Sequence, residues 1–190
     1  MKERPIIFST EMVRAILDLK KTMTRRVIKP QPIYYEHGAW FEWERTKRDL
    51  NATYLAVNMP NYCPYGQVGG KLWVRETWWC PEKGLPVAYK ANLEPHQVDK
   101  QVWKPSIFMP RWASRILLEI TEVRAERLQE ITAGDCTREG ILYEDGDYVT
   151  MRVFEKFKEL WDSLNAKRGY GWETNPWVWP ISFKRLEVAQ

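Results

Sequence analysis

Residues 6–29 read IIFSTEMVRAILDLKKTMTRRVIK, and their pattern sets the architecture. Ile6 to Ser9 is a short apolar strand. Ser9 or Thr10 supplies a helix N-cap, and Glu11 suits the positive end of the helix dipole. Met12, Ala15, Ile16 and Leu19 then recur at helical spacing, with Val13 and Leu17 widening the stripe. The helix ends near Lys20. Thr22 to Ile28 reads as a second strand, with Thr22, Thr24 and Arg26 on one face and Met23, Arg25 and Val27 on the other. A strand–helix–strand opening of this kind predicts an α+β domain. It also sets Thr24 and Arg26 side by side, looking into the same space.

Within that stretch, Lys20 to Lys29 holds five cations (Lys20, Lys21, Arg25, Arg26 and Lys29) and no acid. Crowded cations favour a neutral amine, so a lysine here is a candidate base near neutral pH. A neutral lysine within reach of Thr22 or Thr24 can activate the hydroxyl as a nucleophile. The alternative is a solvated basic turn between a helix and a strand, the usual fate of a charge run.

The chain has 190 residues, of which 44% are hydrophobic and 28% charged, which suits one globular domain rather than a disordered chain. No apolar run reaches the length of about 18 residues that spans a bilayer. The apolar run in MKERPIIFST is shorter than a signal peptide needs, so the expectation is an intracellular, cytoplasmic protein. A net charge of +4 permits an anionic partner without demanding one. Eleven tryptophans are unusual for this length; most should fill the core, and one or two are expected at a site, where indole stacks on a base. Cys63, Cys80 and Cys136 match no common zinc spacing, and with only His37 and His96 beside them they read as buried thiols rather than a metal centre.

Further along, residues 31–65 lack a clear period and read as an insertion, with hairpin strands at Trp40 to Trp43 and Tyr54 to Val57. KLWVRETWW, Lys71 to Trp79, reads as one strand. It places Glu76 among Leu72, Val74 and Trp78, where a carboxylate needs a partner; a structural ion pair and a site role are both open. Val87 to Ala91 is a short strand. MPRWASR carries Arg111, Trp112 and Arg115 as a phosphate-contacting surface, and Ile116 to Leu128 is a long strand. In ITAGDCTREGI, Thr132 caps a short helix, Asp135 completes a short-acid capping box and Gly140 stops it. Glu139 near the C-terminus of that helix opposes the dipole, a hint of another task. Val149 to Leu164 is the longest helix, with Val153, Phe157, Leu160, Trp161 and Leu164 on its apolar face. Trp177 to Leu186 closes the chain as a strand that Pro180 should make an edge or bulged one.

RPIIFSTEMVRAILDLKKTMTRR, KLWVRETWW, ITAGDCTREGI and NPWVWPISFKRL together resemble the ASCH domain, in its long phage and prophage-type branch. The resemblance implies a PUA-like curled β-barrel over residues 1–190 as a single domain. It further implies a capping N-terminal helix, a short helix, a long C-terminal helix and insertions near 31–65 and 81–104. It implies RNA or a modified nucleoside as partner, no membrane and no cofactor. One small bacterial branch of the family removes the acetyl group of N4-acetylcytidine. Its Lys-Thr-x-Thr-x-Arg motif falls on Lys21 to Arg26, its lysine on Lys21, its threonine on Thr24 and its glutamate on Glu139. The chemistry so implied has Lys21 take the proton of Thr24, Thr24 attack the acetyl carbonyl, Arg26 or a backbone N–H hold the oxyanion, and Glu139 pair with Lys21 or relay the proton. Thr22, Arg25, Arg26, Glu76, Trp73 and Trp177 are the expected substrate-binding residues, Trp78 being a third candidate to stack on the base. The alternative functions are a non-catalytic RNA- or nucleotide-binding module, or a ribonuclease using the same basic cleft.

Overall fold

The structure is a computed structural model and describes residues 3–35, 40–43, 48–50, 57–93, 102–141 and 149–187. Strand β1 (Glu3–Ile7) begins three residues earlier than the sequence pattern indicates, because it pairs in parallel with β6 (Lys71–Arg75) from its first residue. Helix α1 (Thr10–Leu17) follows, and the Ser9 side chain accepts the Met12 N–H as its cap. Val13 and Ile16 are its buried positions. Leu19, expected on the apolar stripe, is instead 66% exposed. It takes a left-handed conformation (φ 59°) so that the next two N–H groups, of Lys20 and Lys21, can both turn back onto the Ala15 carbonyl. That turn sends Lys21 inward as β2 (Met23–Val27) begins.

The main sheet runs in the order β1–β6–β9–β11–β10, with β2 also paired to β11. Its remaining strands are β9 (Leu117–Val123), β10 (Glu126–Arg127) and β11 (Trp177–Leu186). All pairings except β1–β6 are antiparallel. The architecture is therefore a mixed α+β one with a multi-stranded sheet and few helices, and among the described residues no pairing closes the sheet into a barrel. Phe8, Val13, Ile16, Leu72, Val74, Leu118 and Trp179 belong to the core packed between the sheet and α1, each such large aliphatic side chain contributing about 1.5–3 kcal/mol by burial. A second core joins Leu128, Ile131 and Cys136 to Val153, Phe157 and Trp161 of the long helix.

The closing strand is central, contrary to the edge position its proline suggests: β11 pairs β2 on one side and both β9 and β10 on the other. Pro180 fits because its carbonyl accepts the Arg124 N–H, so its missing N–H faces the Arg124–Ala125 gap where β9 gives way to β10. The bulge that the proline also suggested is present, as a register shift between Ser182 and Phe183. The long strand expected over Ile116 to Leu128 is thus two, and so is KLWVRETWW, which breaks at Glu76 and Thr77 before β7 (Trp78–Trp79) pairs with β8 (Ala88–Tyr89). β3 (Ile33–Tyr35), β4 (Trp40–Trp43) and β5 (Arg48–Leu50) form a separate three-stranded sheet. Of the strand expected over Tyr54 to Val57, residues 54–56 lie outside the described residues and Val57 is helical. His37 and His96 also lie outside them.

Helix α2 (Ala133–Arg138) is short, capped by Thr132, whose side chain accepts the Asp135 N–H at 3.1 Å. Gly140 ends it at φ 88°, and a Cβ there would stand 3.2 Å from the Lys21 Cβ and 3.3 Å from that of Ala15. Glycine is needed twice over: for the left-handed turn and for the close approach that lays the end of α2 on Lys21. Helix α3 (Val149–Asn165) packs on α2. No helix among the described residues is long and apolar enough to cross a membrane.

Candidate active site

Lys21 has no exposed side-chain surface. Its Nζ donates to Glu139 Oε2 at 2.8 Å and to the Glu139 carbonyl at 2.7 Å. The turn after α1 and the glycine after α2 bring these residues together across 118 positions of sequence. Burial pulls the Lys21 amine below its ordinary pKa; Glu139 opposes that, and Arg26 and Arg25 reinforce it. Crowding by cations thus lowers the Lys21 pKa, but desolvation is the larger cause.

Arg25 holds the other Glu139 oxygen, with Nη1 3.4 Å from Oε1. Its Nη2 lies 2.7 Å from both Glu126 Oε1 and Asp135 Oδ2. Burial would lower its pKa, but the carboxylates of Glu139, Glu126 and Asp135 outweigh that and raise it. Arg124 and Arg138 extend the network from outside, each reaching Asp135, and Arg138 also donates to Ser182 Oγ at 2.7 Å. So Arg25, expected to bind substrate, is the hub of a buried ion network that fixes Glu139. Burial acts to raise the Asp135 pKa, yet the hydrogen bond and charge of Arg25, with Arg124 behind them, win and hold it below its ordinary value. A carboxylate with a depressed folded pKa stabilises the fold above its unfolded pKa, and that stability is lost as pH falls through the folded value. Asp135→Asn is accordingly expected to flatten the pH dependence of urea midpoints below about pH 4, where the parent loses stability steeply.

Beside this pair lies a cavity of about 670 Å³. Thr24, Arg25, Arg26 and Val27 of β2 line it together with Phe8, Met12 and Glu139. Tyr65, Thr77 and Ser106 close part of its rim, and Phe157, Leu160, Trp161 and Leu164 of α3 form its apolar wall. Thr24 is 3% exposed, and its hydroxyl makes no hydrogen bond among the described residues. Arg26 shares its face, as strand alternation requires. Its Nη2 donates to the Ile7 carbonyl at 2.6 Å, and its guanidinium lies 5.1 Å from the Phe8 ring centroid and 6.0 Å from that of Tyr65. The cavity thus presents an unengaged hydroxyl, a fixed carboxylate and a guanidinium on one side, and aromatic and aliphatic surface on the other.

Of the expected site residues, Thr24, Arg25, Arg26 and Glu139 meet on this cavity, and Lys21 sits directly behind Glu139. Thr22 does not line it; its N–H donates to the Arg138 carbonyl and its carbonyl accepts the Phe183 N–H. Glu76 is not on the cavity lining and is paired with Arg115 through two 3.0 Å bonds; burial raises its pKa against the opposing pull of Arg115. Arg111 is likewise committed, to Glu3 at 2.6 Å. Trp73 and Trp177 are buried away from the cavity lining, with Arg75 and Arg127 over their rings at 4.8 and 4.9 Å. Trp78, also buried, packs edge-on against Trp112. The tryptophan that does reach the cavity is Trp161, read from sequence only as part of the α3 core face. Phe8 and Tyr65, the two rings on either side of Arg26, were not singled out as site residues: each stands in a stretch whose pattern speaks of core or turn. The three cysteines are buried and form no disulfide, and burial pushes the Cys136 thiol up to about 11.

No family model matches the chain, and no curated protein matches it. Among solved structures it is similar to protein EF3133 from Enterococcus faecalis V583, described by the family model DUF984. The two are 8% identical, with a TM-score of 0.48, over 100% of this chain and 84% of that one.

Proposed function

We propose that the protein is an amidohydrolase acting on an acylated nucleoside of the N4-acetylcytidine type, built on a PUA-like fold of the ASCH kind. The observation that carries the reading is the Thr24 hydroxyl, unengaged on the cavity wall that also bears Glu139, whose carboxylate is fixed by Lys21 and Arg25. An alcohol in that position needs a base, and a sequestered lysine whose amine is pushed toward neutrality is a suitable one. In its neutral form Lys21 takes the Thr24 proton while Glu139 orients its Nζ. Thr24 Oγ then bonds to the acyl carbon. Arg26, on the same face of β2, offers guanidinium N–H donors to the oxyanion. Collapse of the tetrahedral adduct breaks the C–N bond, and the proton held at Lys21 passes to the leaving amine. Water repeats the sequence on the threonyl ester and releases acetate. The wall of Phe8, Tyr65 and Trp161 suits a planar base.

The acid limb of the pH–rate profile then belongs to Lys21, and the rate rises with pH to a plateau reached below the ordinary lysine range. The test is cytidine release from N4-acetylcytidine by the parent and by Glu139→Gln. The neutral amide keeps the shape but leaves Lys21 without its counter-charge. A loss of about 10²-fold or more in kcat is expected, with the melt checked alongside. Equal rates in the two proteins would remove Glu139 from the mechanism.

A second reading, binding without chemistry, is favoured by the excess of cationic over acidic side chains on the cavity wall. It predicts binding of RNA that weakens steeply with salt, and no product.

A further inference from the structure

Four cationic residues line the cavity (Arg25, Arg26, Lys29 and Arg168) against one acid, Glu139. Lys21 and Arg25 already answer the Glu139 charge. Among the described residues, no carboxylate lies within ion-pair distance of Arg26, Lys29 or Arg168. Arg26 keeps donors to spare: its buried Nε has no hydrogen-bond partner. Lys29 and Arg168 are exposed, and both line the cavity. The Lys29 ammonium lies 4.8 Å from the centroid of Tyr170, two residues beyond Arg168. The end of α3 points the same way, and its carbonyls would repel an anion if left bare. Two of them are engaged: Tyr170 N–H donates to the Asn165 carbonyl, and Asn165 Nδ2 to that of Trp161.

Lys29 follows Thr24 by five residues, just past the end of β2, and both line the same cavity. We propose that Lys29 and Arg168 form a phosphate subsite, so that the occupant is a phosphate-bearing nucleoside whose acylated base reaches Thr24 and Glu139. The phosphate is either the monoester of a free nucleotide or a diester within an RNA chain; both present the same anionic oxygens to an ammonium and a guanidinium fork. The proposal deepens the nucleoside reading above and rests on it for the base, but not for the anion.

The test is calorimetric titration of the full chain with N4-acetylcytidine, its 5′-monophosphate, a short single-stranded RNA bearing the same base, and inorganic phosphate. The monophosphate or the oligomer is expected to bind about tenfold or more tightly than the nucleoside, and the advantage should vanish in Lys29→Ala/Arg168→Ala. A larger gain with the monophosphate assigns a free nucleotide, and a larger gain with the oligomer assigns RNA. Inorganic phosphate bound by the parent and lost in the double variant reads the subsite with no nucleoside present, so it stands even if hydrolysis is never seen. Equal affinities for all nucleoside ligands, or a phosphate advantage that survives the double substitution, would overturn the subsite.

Discussion

Thr24→Ala is expected to lower turnover of an acylated nucleoside by roughly 10³-fold or more, because it removes the attacking oxygen and leaves only binding and oxyanion stabilisation. The effect should fall on kcat, since the rings proposed to hold the base, Phe8, Tyr65 and Trp161, remain on the cavity in the variant. Thr24→Ser should retain a measurable part of the rate, as it keeps the hydroxyl and loses a methyl group. The cost in stability is that of trimming one buried methyl and one hydroxyl, about 1 kcal/mol, so both variants remain folded under assay conditions. Steady-state kinetics of the three proteins at matched concentration check this.

Arg25→Ala should have the largest effect on stability. The side chain is 1% exposed, and it is shared by Glu126, Asp135 and Glu139. Truncation opens a void and leaves Glu139 to Lys21, Glu126 to Arg124, and Asp135 to Arg124 and Arg138; breaking a buried pair in this way costs about 3–5 kcal/mol. That is a large share of the roughly 5–15 kcal/mol that holds a domain together. Arg25→Lys should recover little, because one ammonium cannot fork to Glu126 and Asp135 while reaching Glu139. Urea denaturation gives the difference directly. If Arg25→Ala unfolds at the parent midpoint, the network is not what holds α2 against β2.

The contrast between Lys21 and Arg25 shows what the chain reveals by itself. Lys21, Thr24 and Glu139 were singled out because a motif resemblance names them, and the structure places Lys21 and Glu139 in contact. Thr24 and Arg26 were legible from the alternation of a single strand. Arg25 was assigned to substrate because its partners lie 101, 110 and 114 residues away, and no local pattern marks Glu126 or Asp135 as its companions. Asp135 even has a sufficient local explanation, as an acid in the first turn of α2, which hides its longer-range role. The tryptophans fail for a related reason. A period of two sorts Trp73 and Trp78 onto opposite strand faces but cannot say which face meets a cavity, and Trp161 was accounted for by its helical stripe. The central place of β11 was masked by Pro180, whose tolerance depends on a gap between two other strands.

The central claim is that this cavity hydrolyses an amide through Thr24. The most direct measurement is the time course of acetate and cytidine release from N4-acetylcytidine, free and as its 5′-monophosphate, by the parent protein and by Thr24→Ala. The account predicts equimolar release of both products by the parent and none above the uncatalysed rate by the variant. Release that proceeds equally without the Thr24 hydroxyl, or a parent that binds both ligands and releases neither product, would contradict it.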